Sequence, residues 1–310
     1  MKITDVQACV IGRPEPHSGG SVWTFVRIYT DAGIVGTGEC NSAGHMAGPM
    51  TVKSMVLHNR DVLIGEDPMN IAPLYEKLRR RGRYSGGSSA PWTFALTGIE
   101  NALYDIVGKA LGVPVSTLLG GRYREEIALY ADCEAGEEDT VDSIRERALQ
   151  VLSEGFTALK FDADHMGDYQ DPFSLHASAK QIDHAIRMIY GIREAIGPEI
   201  DLAIDCHGHF DLPTAVTLAK EVEKARLLFL EDPVPDENID AMAQVNAASA
   251  TPICTGEDFY FRHAFMALFE KKAVSVIMPD IPKAGGLMEL KRIADLADAH
   301  AVPIAPHNVS

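Results

Sequence analysis

The feature that most constrains the fold is a repeated unit. From residue 126 onward, seven short β-rich runs alternate with amphipathic helical stretches: EIALYAD, ALKFDAD, DLAIDCHG, LLFLEDP, TPICTGE, VSVIMPD and VPIAPHN. Strands that alternate with helices form parallel βαβ units, because a parallel pair needs a long crossover between its members. This many units at near-regular pitch favour a (β/α) barrel over an open sheet. Most of the runs end in a polar or acidic residue just before a loop. In a barrel that is the C-terminal rim, where active sites lie.

The chain before residue 126 has a different texture. In SVWTFVRIYT, Trp23, Phe25 and Tyr29 alternate with Val22, Val26 and Ile28, and the run meets IVGTGEC across Asp31-Ala32-Gly33, which predicts an antiparallel hairpin. Leu96, Ile99, Leu103, Ile106 and Ala110 then recur at spacings of three and four, a helical stripe ended by Gly112 and Pro114. The expected organisation is an α+β domain over residues 1–125 followed by a barrel domain over 126–310.

Composition narrows the function. With 310 residues and 46% hydrophobic content, the chain can fill a large core, which excludes disorder. The 44 Asp and Glu outnumber the 28 Lys and Arg and give a formal charge of −16, so the basic footprint that nucleic acid requires is missing. No apolar run approaches the roughly 18 residues of a membrane span. Lys2 and Asp5 interrupt the apolar pattern at the start. The five cysteines are scattered and form no CxxC, which suits a reducing compartment without disulfides or structural zinc. A soluble cytoplasmic protein is expected, with neither nucleic acid nor membrane as a partner.

The period carries chemistry. Asp205, Glu231 and Glu257 close three successive runs at separations of 26 and 26 residues, one βα unit each. Adjacent strands would aim all three carboxylates at one volume, where mutual repulsion disfavours ionisation unless a cation neutralises them. A hard divalent ion, most naturally Mg²⁺, answers that need. The competing explanation is that each acid caps the helix that follows it. Asp280 and His307 close the next two runs, 27 residues apart. Adjacent strands would let Asp280 hold the imidazole and stabilise its protonated form, which makes His307 a candidate general base.

Together with GIENALYDIVGKALGVPVSTLLGG (98–121), Lys160, FLEDP, TGED, PDIPKAGG and APHN, these residues make the chain resemble the enolase superfamily, in its mandelate racemase-like subgroup, and within that the galactonate- and gluconate-type dehydratases. The resemblance implies a TIM-like (β/α)7β barrel preceded by an α+β capping domain, with Mg²⁺ held by Asp205, Glu231 and Glu257. It implies abstraction of the proton next to a substrate carboxylate by the His307–Asp280 pair, with Lys160 contacting that carboxylate. A small-molecule sugar acid is the expected partner, and a homo-oligomer the expected state. The eighth strand of that pattern, with its own acid, has no counterpart before Ser310, and that acid is assigned to no residue.

The chain also departs from racemase chemistry. Where the racemase pattern has Lys-x-Lys, this sequence reads Lys160-Phe161-Asp162, so the second lysine base is absent and Asp162 becomes a candidate substrate-binding residue. His207 follows Asp205 by two, and strand alternation would send both side chains to one face. Similar dehydratases use such a DxH arrangement to protonate a leaving 3-hydroxyl; a space-filling loop histidine is the alternative. In the capping part, His17 within PEPHSGG and Arg83 and Tyr84 within RRRGRYSGGSSAPW are candidate substrate contacts on Gly/Ser-rich loops. The insertion DADHMGDYQDPFSLHASAK is a further candidate pocket lining. The expected activity is a metal-dependent sugar-acid dehydratase giving a 2-keto-3-deoxy acid. The alternatives are an epimerase or cycloisomerase using Asp162 as a second acid/base, and a non-catalytic sugar-acid binder.

Overall fold

The computed structural model describes residues 1–17, 20–40, 48–83, 89–133, 140–163 and 174–308, and the side chains of 13–21 fall outside that description. Among the described residues, the N-terminal part is an antiparallel sheet of β1 (Ile3–His17), β2 (Gly20–Thr30) and β3 (Val35–Glu39), in that order. The expected hairpin joins β2 to β3, and Gly33, with φ 77°, makes the turn that an L side chain would resist. Helices α1 (Pro49–His58), α2 (Arg60–Leu63), α3 (Ile71–Gly82), α4 (Trp92–Leu111) and α5 (Val115–Leu118) follow.

The predicted stripe is the buried face of α4. Leu96, Ile99, Leu103 and Ile106 pack with Val26 and Ile28 of β2, whereas Ala110 is exposed. Gly112, at φ 68°, ends the helix in the left-handed conformation. Sheet and helix touch backbone to backbone: a Cβ built on Gly38 would lie 2.1 Å from the Gly98 carbonyl oxygen. Only glycine lets β3 lie this close to α4.

The C-terminal part is a parallel sheet whose strands pair in chain order: β4 (Ala131–Cys133), β5 (Ala158–Asp162), β6 (Asp201–Asp205), β7 (Phe229–Glu231), β8 (Ile253–Thr255) and β9 (Val276–Ile277). The intervening helices are α6 (Val141–Ser153), α7 (Ala179–Ile196), α8 (Leu212–Glu221), α9 (Ile239–Ala248), α10 (Phe261–Glu270), α11 (Ile281–Ala284) and α12 (Leu287–Ala299). Six of the seven predicted runs are therefore strands among the described residues. The seventh, VPIAPHN, makes one parallel bridge, Ile304 to Ile277. The first, EIALYAD, pairs only where it lies beside Leu159–Phe161, and Ile127 and Leu129 stand 71% and 67% exposed. No described helix is long and apolar enough to cross a membrane.

Alternation along the strands produces two cores. Leu159, Leu202, Ile204, Leu230 and Ile253 face the helices and join the large outer cluster. Ala203, Phe229, Cys254 and Met278 face inward and form a small cluster of their own. The step of two that turns Ala203 and Phe229 inward also turns Asp205 and Glu231 inward, one layer nearer the strand ends.

The two parts are bound to each other at α3, α4 and the start of α12. Tyr75 Oη donates to the Gly285 carbonyl at 2.8 Å, Thr97 Oγ1 donates to the Pro282 carbonyl at 2.9 Å, and Phe261 of α10 belongs to the N-terminal core. Gly38→Ala should lower unfolding free energy by about 1–3 kcal/mol, because the new methyl group must push β3 away from α4. Urea denaturation followed by circular dichroism measures this, and an unchanged midpoint would disprove the close packing.

Candidate active site

The strand ladder aligns three acids. Asp162 is the register partner of Asp205, and Asp205 is the register partner of Glu231, so one row of carboxylates crosses β5, β6 and β7 at their C-terminal ends. Asp205 and Glu231 are buried, at 1% and 0% exposure. Lys160, two residues before Asp162 and also buried, places Nζ 2.8 Å from Asp205 Oδ2 and 3.1 Å from Glu231 Oε2. Burial works against the ammonium charge, but Glu231, Asp205 and Asp132 outweigh it and hold the lysine above its usual range. Burial pushes the Glu231 carboxyl well up and the neighbouring Asp205 adds to the effect, with Lys160 only partly opposing it.

The helices of the barrel draw their caps from elsewhere. Asp211 accepts from Thr214 N at the start of α8, Asn238 accepts from Ala241 N at the start of α9, and α10 has no side-chain cap. Asp205, Glu231 and Glu257 are thus free of the capping role that sequence alone left open. Asp205 Oδ1 instead accepts from His207 N at 2.9 Å. His207 adopts φ 45°, so a left-handed turn, not strand alternation, returns its ring toward Asp205, with Nε2 3.6 Å from Oδ2.

Asp162, Asp205 and His207 each present one ligand atom within 4.8 Å of the others and could hold a metal ion. The chemistry of the row fits a small, hard divalent cation: it is rich in carboxylate oxygen, and two of its carboxylates are buried around a single ammonium.

The second constellation lies on the other side of the row. His307 Nδ1 is 2.9 Å from Asp280 Oδ2, and Nε2 is 2.8 Å from Glu257 Oε2. Burial alone would lower the imidazole pKa, but the hydrogen bonds and charges of Asp280 and Glu257 raise it to about 9. The same contact holds Glu257 below its usual range despite burial. Asp280 serves twice, since its Oδ1 accepts from Lys283 N and caps α11.

Sequence reasoning passed over several neighbours. Lys283 is buried, with Nζ 2.8 Å from Asp258 Oδ1 and 3.5 Å from Glu257 Oε1. It stands inside the quoted PDIPKAGG, and its distance of three residues from Asp280, one turn of a short helix, was the available signal. Asp232 has its carboxyl raised to about 8, first by burial and then by Asp205 and Glu257, although Thr255 opposes the shift. The ring of His209 lies 6.4 Å from that of His207. Of the capping candidates, Arg83 is exposed at the end of α3, Tyr84 lies outside the described residues, and so does the His17 side chain. Residues 164–173 of the insertion also lie outside them.

Residues 17–120 match the mandelate racemase / muconate lactonizing enzyme N-terminal domain, and residues 143–310 match the enolase C-terminal domain-like family. A D-xylonate dehydratase of Haloferax volcanii is 39% identical over 311 residues, spanning 100% of this chain and 73% of that protein. A D-galactonate dehydratase of Pectobacterium atrosepticum is 36% identical over 285 residues, spanning 92% of this chain and 71% of that protein. Among solved structures, a mandelate racemase/muconate lactonizing enzyme-like protein from Rubrobacter xylanophilus superposes with a TM-score of 0.92 at 39% identity, over 100% of this chain and 80% of that one. The 3,6-anhydro-D-galactonate cycloisomerase of Zobellia galactanivorans superposes with a TM-score of 0.84 at 30% identity, over 99% and 80%. The chain, a capping part joined to a parallel α/β barrel part, belongs to the enolase superfamily in its mandelate racemase / muconate lactonizing enzyme branch.

Proposed function

We propose that the protein is a Mg²⁺-dependent sugar-acid dehydratase, which removes the C2 proton of an aldonate and expels the 3-hydroxyl to give a 2-keto-3-deoxy acid. The observation that carries this reading is a pair of histidines flanking one acid row: His307 held by Asp280, and His207 beside Asp205. Elimination of water needs both a base for carbon and an acid for oxygen, and the two rings supply them. Xylonate and galactonate dehydratases among the relatives support the same substrate class. The reading divides the chain into a capping part, 1–125, that covers the substrate, and a barrel part, 126–310, that performs the chemistry.

Asp205, Glu231 and Glu257 would hold the ion; Asp162 and His207 lie beside Asp205 and, with it, form the group whose ligand atoms stand within 4.8 Å of one another. When bound, the ion supplies positive charge that lowers the cost of a second negative charge on the substrate carboxylate. Lys160 orients that carboxylate with its buried ammonium. Asp280 fixes the His307 ring through Nδ1, leaving Nε2 to take the C2 proton once Glu257 turns from it. His207, on the exposed side of Asp205, gives a proton to the departing hydroxyl, so one C–H and one C–O bond break and water leaves. The enol left behind takes a proton at C3 and gives up the proton of its C2 hydroxyl to become the keto acid.

Incubation with a panel of aldonic and aldaric acids, read by keto-acid formation, should find turnover with at least one aldonate; no turnover with any of them would refute the reading. In deuterium oxide, His307→Asn should lower both C2 exchange and dehydration by about 10²–10⁴-fold. His207→Asn should keep exchange and lose dehydration. Inversion without water loss would indicate an epimerase, and a cyclised product the cycloisomerase chemistry named for the Zobellia neighbour.

Metal binding gives a separate test. At Mg²⁺ near 100 times its Kd, wild type should gain about 2.7 kcal/mol of stability. Glu231→Gln should gain little, since it lacks one charge of the set. Equal thermal shifts in the two proteins would rule out these acids as the metal site.

His307 also predicts a pH signature in EDTA. Its folded pKa of about 9 lies above the unfolded value of 6.5, so its contribution is fully present below pH 6.5 and is lost as pH rises through 9. Wild type should exceed His307→Asn by roughly 3 kcal/mol more at pH 6 than at pH 10. A gap independent of pH in urea denaturation would contradict the ion pairing.

A further inference from the structure

The segment from Asp280 to Met288 carries one member of the base pair and is held from the other part of the chain. Asp280 begins it, gripping His307 with Oδ2 and capping α11 with Oδ1. Lys283 reaches Glu257 and Asp258 from its middle. Thr97 binds the Pro282 carbonyl, and Tyr75 binds the Gly285 carbonyl.

The strongest hold comes from Glu100 on α4. Its Oε2 accepts from Leu287 N at 2.8 Å and its Oε1 accepts from Met288 N at 2.9 Å, so it caps α12 from a helix 187 residues away in the chain. The carboxylate is buried, and burial pushes its pKa up to about 7. Two backbone donors at a helix start are what such a charge needs, and charge-assisted hydrogen bonds are about twice as strong as neutral ones. Gly286 makes the approach possible: at φ 106°, a Cβ there would stand 2.4 Å from Glu100 Oε2. A buried acid kept at a cost, matched to a glycine that both its backbone conformation and this contact require, is more than a surface cap.

We infer that Glu100 is a positioning residue for the general base: by pinning the first turn of α12 it holds the Gly285–Gly286 corner, and through α11 it sets the place of Asp280 against His307. Glu100 touches no substrate. Its effect passes along nine residues of backbone, Asp280 to Met288, that the capping part fastens at Pro282, Gly285, Leu287 and Met288. The catalytic consequence rests on the dehydratase reading, whereas the positional one does not.

The test reads both. In ¹⁵N-histidine-labelled protein, the His307 ring Nδ1–H signal, assigned by its absence in His307→Asn, reports the hydrogen bond to Asp280. Glu100→Ala and Gly286→Ala should each shift or broaden that signal. They should also lower kcat for C2 exchange about 10–100-fold, the scale of a base misplaced by up to about 1 Å. KM should stay within about three-fold, since no substrate contact is lost. Glu100→Gln keeps one acceptor and should recover part of both effects. Ile189→Val, in the buried face of α7, serves as a destabilised control that should leave the ring signal and kcat unchanged. If Glu100→Ala lowers the melting temperature but leaves the ring signal at its wild-type position, Glu100 is structural only and the inference is overturned. If wild type exchanges no C2 proton from any acid tested, the dehydratase reading fails, and the ring signal alone decides the positional inference.

Discussion

Everything at the mouth of the barrel depends on one awkward electrostatic fact: a row of carboxylates, two of them fully buried, lies over an apolar interior with one ammonium among them. Asp162, Asp205 and Glu231 occupy equivalent positions on three neighbouring strands, and the ladder between the strands leaves them no freedom to separate. Burial of such a set is unfavourable in a protein selected for stability alone. Residues around the row bear its consequences. His207 and Asp232, just beyond the ends of β6 and β7, both take left-handed backbone, at φ 45° and φ 37°. A non-glycine residue there costs about 1–2 kcal/mol, a strain that clusters at functional sites.

The acids were legible because the βα unit has a nearly constant length, and the parallel ladder turns constant spacing in the chain into adjacency in space. Asp280 and His307 were legible for the same reason, and their contact at 2.9 Å follows from adjacent positions at the rim. His207 was located by an argument that holds only inside a strand. The chain leaves extended geometry at Cys206, and a left-handed turn with an Asx-type hydrogen bond to Asp205 brings the ring back.

What stayed hidden depends on contacts that no local pattern encodes. Lys283 reads as an ordinary helical lysine until Glu257 and Asp258 are found beside it. Glu100 reads as one polar residue on an apolar helix, because its partners are two backbone amides on another element. The ends of the sheet pair less than their pattern suggests for a different reason. Apolar alternation in EIALYAD and VPIAPHN signals the capacity to pair, but pairing also needs a neighbour on the ladder, and each run has one only over part of its length.

The bonds that join the two parts also bear on how the chain reaches this structure. Tyr75 meets Gly285 across 210 residues, and Thr97 meets Pro282 across 185. Contacts this remote in sequence are slow to form, because the intervening chain must be ordered before they repay the entropy of closing the loop. The N-terminal sheet and α4 leave the ribosome first, with the face of α4 that will receive α12 still uncovered. The barrel part therefore completes its partner, and the buried carboxylate of Glu100 faces water until α12 arrives.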